Sequence, residues 1–402
     1  MPGIRLDPRA DLASQGPGWE CPPSRSCRVH RGTTATQEPT LDPHPSIRSV
    51  GRALPPNFVD QETLVAAFRA YWGERHFNVD RLADVFRATQ VKGRHLALPL
   101  QEYPATDTFK KCNDAFIRVG TDLGEAAIRE ALARAGLAPQ DVGHLFFVTV
   151  TGVSTPSLDA RLVNRLRLAP SVRRTPIFGL GCMAGAAGLS RAADWLRAYP
   201  GEVAVLLSVE LCSLTLQRDD ASMTNVIASG LFGDGAAAVV LEGGSRPRSR
   251  SSVRAEPVEA RIVATRSAFY PDTERVMGWD VVDTGFRVVL SAKVPEVVAA
   301  NIGRDVDAFL SEHGLGRKDV RHWIAHTGGP KVLEAFQAAL ALPPEALRRS
   351  WDSLREIGNL SSASVLFVLR DTLDAAEARP GDWGLLAAMG PGFASELVLL
   401  RW

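Results

Sequence analysis

Short, uninterrupted apolar segments constrain the fold of this chain more than any other feature of its sequence. Residues 144–150 (HLFFVTV), 203–211 (VAVLLSVEL) and 235–241 (GAAAVVL) are predicted to be strands buried on both faces. Such strands need helices on both sides of their sheet, and amphipathic helical patterns occur at residues 124–136 and 184–199. The first part of the chain is therefore predicted to be an α/β structure.

The same alternation of strands and helices returns in the second part of the chain. Between the two parts, residues 244–260 are rich in Ser and Arg, which predicts a surface linker or insertion. The prediction is two α/β halves, residues 47–243 and 261–402, with stacked layers around parallel or mixed sheets. No internal repeat is visible by residue identity. Residues 1–46 have no apolar period and are predicted to be a disordered N-terminal extension.

Charge and hydropathy exclude several classes of function. The 402 residues carry 46 Lys and Arg against 45 Asp and Glu, and this balance argues against a nucleic-acid binder. The longest apolar stretch, residues 203–216, contains Glu210 and is too short to span a membrane. No secretory signal is visible, so a cytoplasmic protein with reduced cysteines is expected. Cys21, Cys27 and His30 lack the spacing of a zinc module, and no metal site is predicted.

Cys182 is the first candidate for chemistry. It lies in the segment GLGCMAG, between a predicted strand and the helical pattern that runs to residue 199. At a helix N-terminus the macrodipole and free backbone N–H groups lower the pKa of a thiol and favour the thiolate. The small neighbours leave space for a thioester. From this motif alone, a buried structural cysteine is an equally good interpretation.

Two polar residues of the second half complete a possible active site. His326 follows an apolar strand in WIAHTGGP, and Asn359 precedes a helix in GNLSSAS. Taken alone, the histidine can be structural and the asparagine a helix cap. Together with Cys182 they fit decarboxylative condensation, in which a thiolate holds an acyl group and neutral donors stabilise an enolate. Papain-like proteases share the order Cys, His, Asn, but their aromatic-flanked CGSCW-like setting is absent here.

Five segments of the sequence resemble, in order, the motifs of the type III or chalcone-synthase-like polyketide synthases. They are GLGCMAGAAGLSRA, LFGDGAAA, WIAHTGGP, GNLSSAS and MGPGFASE. The resemblance covers about residues 47–402. It implies a thiolase-like αβαβα layered sandwich built from two similar halves, a homodimer, and an acyltransferase. Its substrates are malonyl-CoA and an acyl-CoA, and no further cofactor is implied.

The same resemblance implies roles for individual residues. Cys182 holds the starter and the growing chain, while His326 and Asn359 position malonyl-CoA and stabilise its enolate. Phe232 and Phe286 match two gatekeeper phenylalanines between a CoA tunnel and the cavity. The other matches are Glu210, Thr215 and Ser361 in the cavity wall, Val150 and Cys212 where plant enzymes have threonines, and Lys92, Arg94 and Lys331 near CoA. Thr327 stands where the family usually has proline.

The replacement of two threonines by Val150 and Cys212 makes the predicted cavity more apolar, which suits an alkyl chain. The segments MGWDVVDTGF and TVTGVSTPSLDARL also resemble bacterial enzymes that extend fatty acyl-CoA starters. The prediction is therefore iterative condensation of malonyl-CoA onto a long-chain acyl-CoA held on Cys182. Cyclisation to an alkylpyrone or alkylresorcinol would follow.

Two other functions stay open at this point. A malonyl-CoA-primed tetrahydroxynaphthalene-type synthase usually has a cavity cysteine close to the position of Val150. A ketoacyl-ACP synthase III-like enzyme takes its extender unit from an acyl carrier protein, and its histidine motif usually reads HQAN rather than HTGG. Starter length, the number of extensions and the mode of ring closure depend on cavity volume, which the sequence does not specify.

Overall fold

A computed structural model of the protein describes residues 44–72, 81–246 and 259–402. The predicted disordered extension, with Cys21 and Cys27, falls almost entirely outside the described residues, as does most of the predicted linker at 244–260. Ser46 and Ala260 each begin a strand. The regular structure of the two halves therefore starts one residue earlier than the predicted boundaries at 47 and 261.

The described part of the chain contains thirteen strands. Nine of them form one mixed sheet in the order β11-β12-β13-β8-β1-β7-β6-β4-β5, and β2–β3 and β9–β10 form two small antiparallel pairs. The strands are β1 (Ser46–Ala53), β2 (Asn57–Asp60), β3 (Gly93–Leu96), β4 (Val142–Thr149), β5 (Arg173–Phe178), β6 (Val203–Leu211), β7 (Asp234–Glu242), β8 (Ala260–Phe269), β9 (Met277–Val282), β10 (Gly285–Leu290), β11 (Val320–Ala325), β12 (Trp383–Gly390) and β13 (Ala394–Arg401).

Ten α-helices accompany these strands within the same residues. None of them combines the length and the apolar character that crossing a membrane requires. The helices are α1 (Gln61–Trp72), α2 (Leu82–Ala88), α3 (Phe109–Ala135), α4 (Leu158–Leu166), α5 (Ala184–Ala198), α6 (Met223–Leu231), α7 (Val294–Ser311), α8 (Pro330–Leu340), α9 (Arg348–Ile357) and α10 (Ser364–Asp374).

The two halves of the chain have the same strand connections. In the first half, β1 and β7 are antiparallel, β7 and β6 are antiparallel, and β6 and β4 are parallel. In the second half, β8, β13, β12 and β11 repeat these three relations in the same order. The halves join at the start of β1 and β8, where Ser46 pairs with Arg261 and Ile47 with Ala260. The predicted sandwich of two similar halves is confirmed, although residue identity does not show the repeat.

Alternate residues of the central strands bury two different sets of helices. In β12, Leu386 and Ala388 join the apolar cluster that contains α5 and α10, whereas Leu385 and Ala387 join the cluster of α7 and α8. The strands of the first half alternate in the same way between α5 and α3. Side chains of a strand point alternately to the two faces of its sheet, so helices cover both faces. The layer order is therefore helix, sheet, helix, sheet, helix, with α5 and α10 in the middle, and the two sheet layers are the two halves of the nine-stranded sheet.

Local structure differs from the sequence-based predictions mainly in strands that lie at the edge of the nine-stranded sheet or outside it. β5 ends at Phe178, and the described part of residues 58–96 holds the short strands β2 and β3 as well as α1 and α2. β5 is an edge strand with alternating exposure and carries Pro176, so it lacks the apolar run that marks a central strand. The hairpin β9–β10 was not predicted, since its residues are mostly half-buried.

We predict that Gly51→Ala destabilises the fold by about 1–3 kcal/mol, because β1 lies directly against α3. A Cβ at Gly51 would lie 2.1 Å from the Ala127 carbonyl oxygen and 2.6 Å from the Ala131 backbone nitrogen. Backbone atoms cannot turn away as a flexible side chain can. The urea midpoint of unfolding should fall for Gly51→Ala. It should stay unchanged for Gly201→Ala, where a Cβ meets no atom within 4 Å. Equal midpoints for both variants would contradict this packing.

Candidate active site

Cys182 is buried in a single turn of 3-10 helix, Gly181–Met183, that leads directly into α5. Two glycines allow this turn to sit tightly against the loop after β12. A Cβ at Gly181, whose φ is +53°, would lie 2.5 Å from the Pro391 ring. A Cβ at Gly390 would lie 2.8 Å from both the Leu180 oxygen and the Met183 nitrogen. The MGPGFASE segment therefore packs on the backbone that carries the thiol.

A matching turn precedes α10 and approaches Cys182 from the second half. The Ser361 hydroxyl lies 3.6 Å from the Cys182 sulfur. Asn359, two residues earlier, accepts hydrogen bonds at Oδ1 from the Ser361 nitrogen at 2.8 Å and from the Ser364 hydroxyl at 3.3 Å. These two bonds fix the amide so that Nδ2, which is buried, has no protein partner. The amide N–H groups of Asn359 are thus available to a ligand.

His326 follows β11 and shares a cavity with Asn359. Its backbone nitrogen donates to the Ala387 oxygen at 3.0 Å, and its own carbonyl accepts from the Gly328 nitrogen at 2.9 Å. The ring nitrogen Nδ1 is buried without a protein partner. His326, Asn359 and the ring of Phe232 line one small cavity, whose other walls include Met277, Leu290, Phe336, Met389 and Phe393. The structure thus brings these candidate residues together.

Burial determines the ionisation of the two candidate reactive groups. It raises the pKa of the Cys182 thiol to about 12, with a further contribution from the nearby Glu210 carboxylate. It lowers the pKa of His326 to about 4. Cys182 is therefore a thiol and His326 a neutral imidazole. This differs from the expectation that the helix N-terminus favours the thiolate, because the cost of burying charge outweighs the helix dipole.

Glu210 is fully buried on β6, behind the turn that carries Ser361. Its Oε2 accepts from the Val150 nitrogen at 3.1 Å and the Thr151 hydroxyl at 2.9 Å, and its Oε1 accepts from the Ser362 hydroxyl. Burial raises the pKa of Glu210 to about 7 despite these bonds. Glu210 and Val150 thus belong to one hydrogen-bonded unit that supports the site. Neither residue lines the cavity of His326 and Asn359, which differs from the predicted place in the cavity wall.

A second, larger cavity of about 160 Å³ adjoins the first at Phe232, which lines both. Cys212 and Thr215 lie in its wall, as predicted for cavity residues. Most of the lining is apolar and comes from α1, α6 and the segments around them, including Leu64, Ala67, Phe68, Leu96, Leu100, Leu216, Ala228, Trp279 and Val288. The second cavity can therefore take an apolar or aromatic group.

Phe286, the other predicted gatekeeper, is buried in a group of aromatic rings. Its ring centre lies 5.3 Å from that of Phe109, 6.0 Å from that of Phe178 and 6.4 Å from that of Trp279. Its backbone oxygen accepts a hydrogen bond from the Gln217 side chain at 3.2 Å. These contacts hold the Phe286 ring in place on several sides, and the ring lines neither of the two cavities.

The three predicted CoA contacts differ in position. Lys92 and Lys331 are exposed, as a phosphate contact requires. Arg94 is buried, and its Nη1 donates to the Phe232 oxygen at 2.7 Å. Burial lowers the pKa of Arg94 to about 10, and the nearby Asp234 opposes this shift. Arg94 therefore supports the wall between the cavities, which differs from the surface position expected of a phosphate ligand.

Sequence reasoning missed several residues that line or support the two cavities. Tyr103, Ser213 and Trp279 lie in the wall of the larger one, and Met277 in that of the smaller one. Asp234 is inside the LFGDGAAA motif, which was a signal for this position. Within residues 44–72, 81–246 and 259–402, no three His, Cys, Asp or Glu side chains are grouped so that they could hold a metal ion.

Comparison with known proteins gives concordant results. Family models described as Chalcone and stilbene synthases, N-terminal domain and C-terminal domain, match residues 37–247 and 261–402. The chain is 46% identical over 374 residues to a 1,3,6,8-tetrahydroxynaphthalene synthase of Streptomyces peucetius subsp. caesius, which covers 93% of this chain and 97% of the relative. It is 38% identical to a putative chalcone synthase of Bacillus subtilis (strain 168), with 89% and 98% covered.

A solved structure shows the same fold. The crystal structure of 1,3,6,8-tetrahydroxynaphthalene synthase from Streptomyces coelicolor A3(2), a bacterial type III polyketide synthase, superposes with a TM-score of 0.81. The two chains are 31% identical, and the match covers 89% of this chain and 99% of the other. The arrangement of strands and helices is thus shared along nearly the whole length of that enzyme.

We predict that Glu210→Gln makes Cys182 more reactive towards iodoacetamide. The Glu210 carboxylate raises the pKa of the Cys182 thiol. A neutral amide of the same shape should lower this pKa, and each unit by which the pKa falls gives about tenfold more thiolate. The pH dependence of Cys182 alkylation, followed by mass spectrometry, should move to lower pH. Glu202→Gln removes an exposed carboxylate and should leave the curve in place. A curve that is the same for Glu210→Gln would contradict the electrostatic coupling.

Proposed function

The chain belongs to the chalcone and stilbene synthase family, the type III polyketide synthases, and from this membership we propose that it is a malonyl-CoA-primed synthase of the tetrahydroxynaphthalene type. The observation that carries the proposal is the 46% identity to a tetrahydroxynaphthalene synthase over nearly the full length of both chains. This was the alternative in the sequence analysis, and the comparisons support it better than the alkylpyrone or alkylresorcinol synthase.

Cys182 is proposed to carry the acyl chain. Its sulfur is protonated at neutral pH, and the Ser361 hydroxyl 3.6 Å away is its hydrogen-bond partner. The neutral ring of His326 is able to accept the thiol proton as the sulfur attacks the carbonyl carbon of a CoA thioester. CoA then leaves with a proton, and the acyl group stays on sulfur.

His326 and Asn359 are proposed to stabilise the enolate of malonyl-CoA. When carbon dioxide leaves, the electron pair of the broken bond delocalises onto the thioester oxygen. The Asn359 amide, oriented through Oδ1, and one N–H of the neutral His326 ring are uncharged donors in the same cavity. Each donor that is already oriented towards such an oxygen lowers the activation barrier by roughly 3–4 kcal/mol. The enolate carbon then attacks the acyl group on Cys182 and lengthens the chain.

The proposed chemistry uses CoA thioesters as substrates and involves no other cofactor. Lys92 and Lys331 are exposed and are proposed to contact the CoA phosphates as point charges. Phe232 and Phe286 are proposed to separate the CoA side from the product side. Thr215, Cys212 and the apolar lining of the larger cavity are proposed to hold the growing chain.

One observation keeps a long-chain starter as a second candidate function. The cavity of about 160 Å³ is lined mainly by apolar side chains and reaches from Cys212 to Leu64 and Phe68 on α1. Burying an alkyl chain there would stabilise its thioester by about 0.8 kcal/mol for each CH₂ group. A folded polyketide chain uses the same cavity in the naphthalene proposal, so the two functions differ in the starter that is consumed.

Incubation of the purified protein with malonyl-CoA alone should release carbon dioxide and CoA and yield a polyhydroxylated naphthalene, identified by mass. Addition of short- to long-chain acyl-CoA esters should leave that product dominant. Products that carry the acyl chain, formed in place of the naphthalene, would replace the first proposal by the second. Turnover that appears only with malonyl-ACP would contradict both.

Cysteine variants provide the control for this experiment. Cys182→Ala should lower polyketide formation by roughly 10³-fold or more, because no thioester with the enzyme can form. Cys112→Ala removes a half-buried thiol from α3 and should retain activity. Equal activity of Cys182→Ala and the wild type would show that another group carries the chain.

We also propose that the enzyme is a homodimer. β5 leaves its outer edge unpaired within the described residues, and Phe178 at its end is 50% exposed. Val153, in a nearby part of the same half, is 41% exposed. An open edge next to exposed apolar residues is suited to association with another chain. Light scattering after size exclusion should give twice the chain mass of 43.4 kDa, and a monomer at micromolar concentration would contradict the proposal.

A further inference from the structure

A chain of three polar groups runs through the wall of the larger, mostly apolar cavity. The Tyr103 phenol oxygen lies 2.5 Å from the Ser213 hydroxyl, and that hydroxyl bonds to the carboxylate of Asp234. Tyr103 and Ser213 both line the cavity, whereas Asp234 is completely buried behind them at the start of β7. Polar groups are costly to bury unless they are hydrogen-bonded, and these three form a connected network that opens onto the cavity at Tyr103 and Ser213.

The available donors and acceptors fix which of the three groups donates to which. Asp234 already accepts from the Ala97 nitrogen at 2.6 Å and the Ser213 nitrogen at 2.8 Å. The Ser213 hydroxyl has one proton, and its bond to the carboxylate uses that proton. Tyr103 must then donate its own proton to Ser213. The phenol oxygen also accepts a long hydrogen bond from the Leu98 nitrogen at 3.5 Å, so one lone pair is left as the acceptor at the cavity end of the chain.

The position of this acceptor relates it to the acyl-carrying thiol. Cys212, the neighbour of Ser213, also lines the cavity. Cys182 is close enough to Cys212 for its charge to raise the pKa of that thiol. Phe232 separates this cavity from the one that contains His326 and Asn359. A chain that grows on Cys182 and enters the larger cavity would meet Tyr103 in its wall.

We propose that Tyr103, Ser213 and Asp234 form a proton relay that promotes carbon–carbon ring closure of the polyketide held on Cys182. This inference rests on the proposed function and adds to it a base for the cyclisation step. Tyr103 is the catalytic residue, since its oxygen contacts the substrate. Ser213 and Asp234 are positioning residues that act through it.

The relay transfers one proton and no other group. A methylene group between two carbonyls of the chain gives its proton to the Tyr103 oxygen, the Tyr103 proton moves to Ser213, and the Ser213 proton moves to Asp234. The electron pair of the broken C–H bond becomes an enolate, whose carbon attacks a carbonyl carbon and forms the ring bond. Where that carbonyl is the thioester, the C–S bond breaks and Cys182 leaves as thiolate. The proton on Asp234 then returns along the same groups.

The groups around Asp234 allow its carboxylate to act as a base near neutral pH. Burial raises its pKa to about 6, while the guanidinium of Arg94 on β3 and the donors from Ser213 and Ala97 oppose this shift. Tyr103 and Cys212 are the other titratable groups that interact with it, and both are neutral in this range because burial raises their pKa values. Asp234 is thus ionised at pH 7 and becomes protonated as the pH falls through about 6.

The test measures which fraction of the extended polyketide becomes aromatic product and which fraction becomes pyrone lactone. Wild type, Tyr103→Phe and Ser213→Ala are incubated with malonyl-CoA, and aromatic products, pyrone lactones and released CoA are quantified. Tyr103→Phe removes one oxygen and keeps the ring. It should lower the aromatic fraction at least about tenfold while CoA release stays within about twofold, since extension does not use the relay. Ser213→Ala should show the same change.

A pH profile separates a relay from a structural role. The aromatic fraction of the wild type should fall as the pH is lowered through about 6, because a protonated Asp234 accepts no proton. Tyr103→Phe should show a low aromatic fraction with no such dependence. Tyr199→Phe removes the same oxygen from a 41% exposed ring that stacks on Trp195, outside both cavities, and should behave as the wild type.

An unchanged aromatic fraction in Tyr103→Phe, with CoA released at the wild-type rate, would overturn the relay. A parallel loss of CoA release and aromatic product would also overturn it, since the residue would then serve folding or extension. Failure of the proposed function gives a different result. In that case the wild type itself makes no aromatic product from malonyl-CoA.

Discussion

The contact between the two central helices is the constraint on which the rest of this enzyme depends. α5 and α10 start at matching turns, and a Cβ at Gly185 in the first turn of α5 would lie only 2.3 Å from the Ser362 oxygen. Glycine at this point lets the two turns touch. The thiol of one half and the hydroxyl and amide of the other then come together from segments about 180 residues apart in sequence. The active site is thus a product of how closely the two halves pack.

Burial gives that site its electrostatic character. The same close packing that excludes water keeps Cys182 protonated and His326 neutral at pH 7. A neutral site is compatible with a reaction that proceeds through neutral hydrogen-bond donors and loses carbon dioxide. Glu210 and Asp234, both fully buried, are the exceptions, and each is surrounded by several donors that offset the cost of its charge.

The sequence was most informative where burial is complete. β4, β6 and β7 are apolar at nearly every position, so their runs were recognisable. The motifs around Cys182, His326 and Asn359 adjoin three other largely buried elements, α5, β11 and α10. β5, β9 and β10 are partly exposed and gave no comparable pattern. The pKa of Cys182 was predicted in the wrong direction, because the helix terminus is visible in the sequence and the depth of burial is not. Likewise, Tyr103 and Asp234 are 131 residues apart, and only the fold brings them to one serine.

Phe232 is joined to the rest of the site by its backbone. It forms a parallel bridge with Asn359, the Asn359 nitrogen donates to the Leu231 oxygen, and the Phe232 oxygen accepts from Arg94. The ring is free of these bonds and divides the two cavities. A substitution at position 232 can therefore change the space available to a product without displacing the Asn359 amide beside it. Diversity of products and constancy of the chemical step can thus coexist within one short stretch of chain.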